Sequence, residues 1–169
     1  GLGMDGIASP VRIMSVRTVP NGDERDKDVA NAIRYAAENG ADIINMSFGK
    51  KYSPHKEVVD AAVQYADSMG VLMVHAAGND GANVDSTANY PSPTYDDGGE
   101  AQRWIEVGAS SWKGGSELAA RFSNYGAERV DVFAPGQYIY STVPNDEYKR
   151  NDGTSMAAPM VSGLAALLM

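Results

Sequence analysis

A chain of 169 residues has the length of one domain or part of one, and 43% hydrophobic with 21% charged residues is a globular balance that argues against disorder. Fourteen basic against twenty-two acidic residues leave a net charge of −8, which argues against nucleic acid as a partner, since phosphate neutralisation needs a Lys/Arg surplus. Cysteine is absent, which removes disulfides, thiolate metal sites and cysteine nucleophiles, and no apolar run approaches the roughly 18 residues of a membrane helix.

Residues 11–19, VRIMSVRTV, read as a strand followed by the turn Pro20-Asn21-Gly22. Residues 25–39 read as a helix, with Val29, Ile33, Ala36 and Ala37 at helical spacing and Gly40 placed to end it. A short apolar strand spans 41–47 and runs into Phe48-Gly49. The next helix has Ser53 as its expected N-cap, Pro54 at the first helical position and then Glu57. Its apolar stripe, including Val58, Val59, Ala62, Val63 and Ala66, is wide enough to pack on a sheet, and Gly70 closes it. Residues 71–77 are almost continuously apolar, as buried parallel strands are. A polar loop of about 25 residues, too long for a plain connection, leads from Gly78 to a strand at 104–110. Strands at 130–133 and 138–143 and a small-residue helix from Thr154 complete the pass. The alternating order predicts an α/β layered fold on a mostly parallel sheet, in one domain without repeat or linker. Residue 1 opens in mid-pattern and Met169 follows an uncapped helix, so the chain reads as part of something longer.

Three segments carry chemistry. Gly153 and Thr154 deliver Ser155 to a helix N-terminus, where unpaired N–H groups and the positive dipole end favour negative charge. A serine there can attack a carbonyl while its own N–H binds the oxyanion. Pro159 breaks a local rule, because it leaves the Ser155 carbonyl without a helical donor. An alanine-rich core helix with an accidental proline is the competing reading. The second segment, Ala76-Ala77-Gly78-Asn79, ends a strand, and the Asn79 amide suits an oxyanion donor, although Asn-Asp-Gly also punctuates ordinary turns. The third, Ser47-Phe48-Gly49, also follows a strand end and could pair with an extended peptide.

Together these segments resemble the subtilisin-like serine proteases. Gly153-Thr-Ser-Met-Ala157 with Ala158-Pro159 looks like the nucleophile motif, Ala76-Ala-Gly-Asn79 like the oxyanion motif, and Ser47-Phe48-Gly49 like the substrate-binding segment. Residues 121–126 and 131–136 sit where the family has similar stretches, so the likeness runs nearly end to end. It implies a three-layer subtilisin-like fold, truncated at its N-terminal side and in its C-terminal helices, with residues 1–169 a partial peptidase domain. It also implies Ser155 as nucleophile and Asn79 as oxyanion donor, with Ser47, Phe48, Gly49, Ala76, Ala77 and Gly78 lining the peptide groove. Asp80 and Asn89 would border the specificity pocket by family position. Met160 and Ser162 depart from the family's usual histidine and alanine, away from any triad position.

The family's triad runs Asp, His, Ser in chain order, yet these residues contain neither Asp-Thr/Ser-Gly nor His-Gly-Thr-His. His55 reads as solvated and His75 as a core histidine. No metal site is assigned: the resemblance allows calcium, but the loop aspartates lack the spacing of a calcium loop. The expected function is that of a serine endopeptidase acting on peptide or protein substrates, secreted or in the cell envelope, with this chain alone inactive. The alternative is a non-catalytic peptide-binding module derived from the same fold. In the family the missing strand lies between those matching 11–19 and 41–47. These two are therefore expected to pair directly, or the chain to associate with a second copy through that sheet edge or by exchanging an element.

Overall fold

A computed structural model describes residues 3–9, 11–19 and 22–169. The elements run α1 (Asp26–Glu38), β1 (Ile43–Met46), α2 (Lys56–Ser68), β2 (Leu72–Ala76), β3 (Trp104–Ser110), β4 (Val132–Pro135), β5 (Ile139–Val143), β6 (Glu147–Asn151) and α3 (Thr154–Leu168). Strands β1 to β4 pair in that order, all parallel, with Met46 opposite His75 and Ala76 opposite Val107. Strands β5 and β6 form a separate antiparallel hairpin.

Alternation along the strands builds two cores. Val74, Ala76, Val107, Ala109 and Ala134 face Ala157, Ala158 and Val161 of α3. Met46 and Met73 face Val29, Ile33, Val59, Val63 and Ala66 of α1 and α2. The result is three layers, helix pair, sheet and single helix, as strands covered on both faces require. None of the helices among the described residues is long and apolar enough to cross a membrane.

Three local expectations change. Residues 11–19 form no strand, and Ile13 is 88% exposed. An extended run becomes a strand only when a neighbour supplies ladder partners. Here a cavity of about 380 Å³, lined by Val16, Arg17 and Thr18 on one side and by Asp28, Asn31 and Tyr35 of α1 on the other, separates the segment from the helix layer. The direct pairing with 41–47 is therefore not made, and β1 is left as a sheet edge. The turn at residues 20–22 lies mostly outside the described residues.

Helix α2 starts two residues later than expected, with His55 and not Ser53 at its N-cap. Asp26, at the first position of α1, accepts from the Ser53 hydroxyl and the His55 N–H, both at 2.8 Å, and pairs with Lys50 at 2.6 Å. Burial opposes ionisation of Asp26, but those donors outweigh it and hold the carboxyl below the ordinary aspartate range. Ser53 is thus engaged by a carboxylate from another helix before it can turn to its own. The sequence reading also lacked β6, whose Glu-Tyr-Lys-Arg-Asn run has no apolar alternation. Asn145 and Asp146, at φ 69° and 58°, make the turn that returns it to β5.

Candidate active site

Chain topology gathers the three singled-out segments at the carboxyl end of the sheet. Ser47, Phe48 and Gly49 leave β1 beside Ala77, Gly78 and Asn79, which leave the adjacent strand β2. The N-terminus of α3 closes on both. Gly153 precedes the helix at φ 152°, a conformation L side chains rarely adopt. Its N–H donates to the Gly136 carbonyl at 2.8 Å. A Cβ on Gly136 would lie 2.6 Å from that of Ala109 and 2.8 Å from the Gly153 carbonyl oxygen. The two glycines let the chain ahead of the helix pass against the end of β3.

Ser155 sits in the first turn of α3 and is half-buried. Its hydroxyl donates to the Ser47 carbonyl at 3.0 Å, and the Ser47 hydroxyl donates back to the Ser155 carbonyl at 3.0 Å. This second bond resolves the apparent defect at Pro159. The carbonyl that proline deprives of a helical donor takes one from Ser47, 108 residues away.

The amide of Asn79 has a fixed sense. Its Oδ1 accepts from the Thr154 N–H at 2.8 Å and from the Thr154 hydroxyl at 3.1 Å, while that hydroxyl accepts from the Gly78 N–H at 3.1 Å. A backbone N–H can only donate, so the atom facing it must be the oxygen. The Nδ2 end is turned the other way and has no hydrogen-bond partner among the described residues, 3.7 Å from where a Cβ on Gly153 would stand. The Ser155 N–H, in the first helical turn, has no intrahelical acceptor either. A Cβ on Gly153 would stand 3.6 Å from the Ser155 nitrogen and 3.7 Å from Asn79 Nδ2, so two donors unpaired among the described residues lie near one point beside the helix start, as stabilising a developing oxyanion requires.

Along the groove the Gly49 N–H and C=O are exposed and unpaired among the described residues, whereas the carbonyls of Phe48, Ala76, Ala77 and Gly78 are all engaged internally. Gly49 therefore offers backbone to an added strand. Neither histidine reaches Ser155. His75 is fully buried with both ring nitrogens engaged, and His55 is exposed beside Glu57. His75 is thus a buried, hydrogen-bonded core histidine, as the sequence suggests. No cluster of metal-ligating side chains occurs among the described residues.

Asn124 is a site residue that sequence reasoning did not single out, and Thr154, which it named only beside Ser155, proves to be the residue that holds Asn79. Buried Asn124 accepts from the N–H groups of Asp80 and Ala82 at 3.0 and 2.9 Å, and donates to the Ala77 carbonyl at 2.7 Å. It thus fixes the backbone on both sides of Asn79. Three bonds at about 1 kcal/mol each put the loss in Asn124→Ala at roughly 3 kcal/mol. Urea unfolding of the variant should show that loss; a shift below about 0.5 kcal/mol would mean the loop holds its shape without Asn124.

The profile of the Subtilase family matches residues 1–169. Thermophilic serine proteinase of Bacillus sp. (strain AK1) is 41% identical over 98% of this chain and 38% of its own length. Thermitase of Thermoactinomyces vulgaris is 38% identical over 98% of this chain and 54% of its own. The crystal structure of a cold-adapted subtilisin-like serine proteinase matches 96% of this chain and 55% of that one, with a TM-score of 0.79 at 34% identity. The chain spans about half the length of the curated relatives it matches.

Proposed function

This chain belongs to the Subtilase family and has its fold, and from that premise we propose that it carries the nucleophile and oxyanion-binding half of a serine endopeptidase. Ser155 attacks the scissile carbonyl of a peptide laid along Gly49. Asn79 Nδ2 and the Ser155 N–H receive the oxyanion; its collapse breaks the C–N bond, the amine departs with the proton taken from Oγ, and the acyl group left on Ser155 Oγ is then hydrolysed by water. The base that takes the Oγ proton, and the carboxylate that orients it, would come from outside these residues, which contain neither motif. The observation that carries the reading is the orientation of Asn79: Thr154 occupies its oxygen, so the donor end of the amide is left free beside Ser155. A fluorophosphonate probe applied to the full-length protein tests it. Labelling of Ser155, lost in Ser155→Ala, is the expected result, and a probe that attaches elsewhere or nowhere would remove the peptidase assignment.

The second reading, a peptide-binding module without hydrolysis, has one observation in its favour. The groove backbone at Gly49 is open to a strand, while both histidines of the chain are away from the serine. It describes what these residues would do by themselves, in which case peptide binds but is released uncleaved.

A further inference from the structure

Beneath the two walls of the groove lies a buried polar cluster that the peptidase chemistry does not use. His75 in β2 is fully buried and Glu106 in β3 is 6% exposed. Each stands two residues beyond Met73 or Trp104 on its strand and shares their face, which packs on α1 and α2, so the pair lies across the sheet from α3 and Ser155. The His75 ring stands 5.3 Å from that of Trp104.

The ring is a bridge. Its Nδ1 lies 3.0 and 2.9 Å from the two carboxylate oxygens of Glu106, and its Nε2 lies 2.8 Å from the carbonyl oxygen of Phe48. That carbonyl only accepts, so Nε2 carries a hydrogen and donates to it, and Nδ1 faces the carboxylate. Glu106 also accepts from the Trp104 indole N–H at 2.9 Å and from the Asn89 amide at 3.4 Å. The same Asn89 amide donates to the Ala76 carbonyl at 3.0 Å. Phe48 and Ala76 stand at the ends of neighbouring strands, one on each wall, and one carboxylate reaches both: Phe48 through His75 and Ala76 through Asn89.

Asn89 is also wedged between the walls. A Cβ on Gly49 would lie 2.6 Å from its Oδ1, and one on Gly78 would lie 3.8 Å from its Nδ2. An apolar pair of the same volume would fill the space under the strands without the cost of burying ionisable groups. What it would not do is hold two strand-end carbonyls at a set separation. Resting on the groove reading above, we infer that His75 and Glu106 are positioning residues that fix the spacing of the two walls. They thereby hold the free backbone of Gly49 in register for an extended peptide.

The test uses the full-length protein carrying His75→Phe together with Glu106→Met. Replacing both partners by apolar groups of similar shape avoids a lone buried charge but leaves the Phe48 carbonyl and the Trp104 indole N–H unpaired, so the thermal midpoint should fall by a few degrees while the fold is kept. The expected result is a KM for an extended peptide raised on the order of tenfold, the value of one hydrogen bond or slightly more, with kcat nearly unchanged. Glu106→Gln alone should bring KM most of the way back, because its amide can donate to Nδ1 while its oxygen accepts from Trp104, and only the long 3.4 Å contact from Asn89 is lost. If the paired variant does not fold, His75→Phe with Glu106→Gln removes the Phe48 arm, leaves Asn89 on the Ala76 carbonyl and carries the same expectation for KM.

Affinity of the same uncleaved peptide, read by fluorescence anisotropy on the Ser155→Ala background, should fall by the same factor. That binding measurement needs no hydrolysis. An unaltered protein that cleaves nothing would therefore overturn the peptidase reading while leaving this inference to stand or fall on affinity. Folded variants with unchanged KM and unchanged affinity would overturn the wall-spacing role, whatever the protein hydrolyses.

Discussion

The 169-residue chain on its own is expected to hydrolyse a chromogenic peptide ester with no turnover that depends on Ser155. A serine hydroxyl is a weak nucleophile until a neighbouring base takes its proton. In this structure the Ser155 hydroxyl donates to the Ser47 carbonyl, a group that cannot accept a proton in catalysis. His75 is sealed under the opposite face of the sheet, and His55 stands exposed at the start of α2. A serine, base and carboxylate act as a unit, so removing the base costs nearly as much as removing all three. The loss is on the order of 10⁶ in kcat, a magnitude that belongs to subtilisin itself and not to this geometry. The comparison is between the purified chain and its Ser155→Ala variant, whose rates should be indistinguishable. Ser155-dependent hydrolysis at rates ordinary for a protease would defeat the expectation and would require one of the two histidines to reach the serine.

What the sequence made legible were the features whose physics is local. The helix start at Gly153-Thr154-Ser155, the strand ends at Ser47 and Ala76, and the apolar stripes of α1 and α2 each follow from neighbours a few residues apart. What it hid depends on partners far along the chain. The Ser47 hydroxyl answers the carbonyl freed by Pro159 across 108 residues. Asn124 supports Ala77 across 47, and His75 meets Glu106 across 31. The delayed start of α2 has the same origin, since an aspartate on another helix engages Ser53 first. Residues 11–19 mark the opposite failure. Their composition favours a strand, but strand structure belongs to a pair, and the described residues supply no partner.

Asn79→Ala in the full-length protein is expected to lower kcat by roughly 10²–10³ and to leave KM nearly unchanged, a magnitude again taken from the corresponding loss in subtilisin. The direction follows from the geometry. Thr154 holds the Asn79 oxygen with two hydrogen bonds, so the amide is fixed before substrate arrives. Its Nδ2 has no hydrogen-bond partner among the described residues and lies beside the helix N-terminus. A planar substrate carbonyl gains little from that donor, whereas a tetrahedral oxyanion gains a preorganised one in a site that needs no rearrangement. Only interactions stronger in the transition state than in the ground state raise turnover, so the loss must fall on kcat. Removing Asn79 also strips the fully buried Thr154 N–H and hydroxyl of their acceptor, at a cost of roughly 1–3 kcal/mol in stability. A variant that still folds, with unaltered peptide affinity on the Ser155→Ala background, would confirm that the groove is intact. A variant whose KM rises while kcat holds would assign Asn79 to substrate binding and leave the oxyanion to the Ser155 N–H alone.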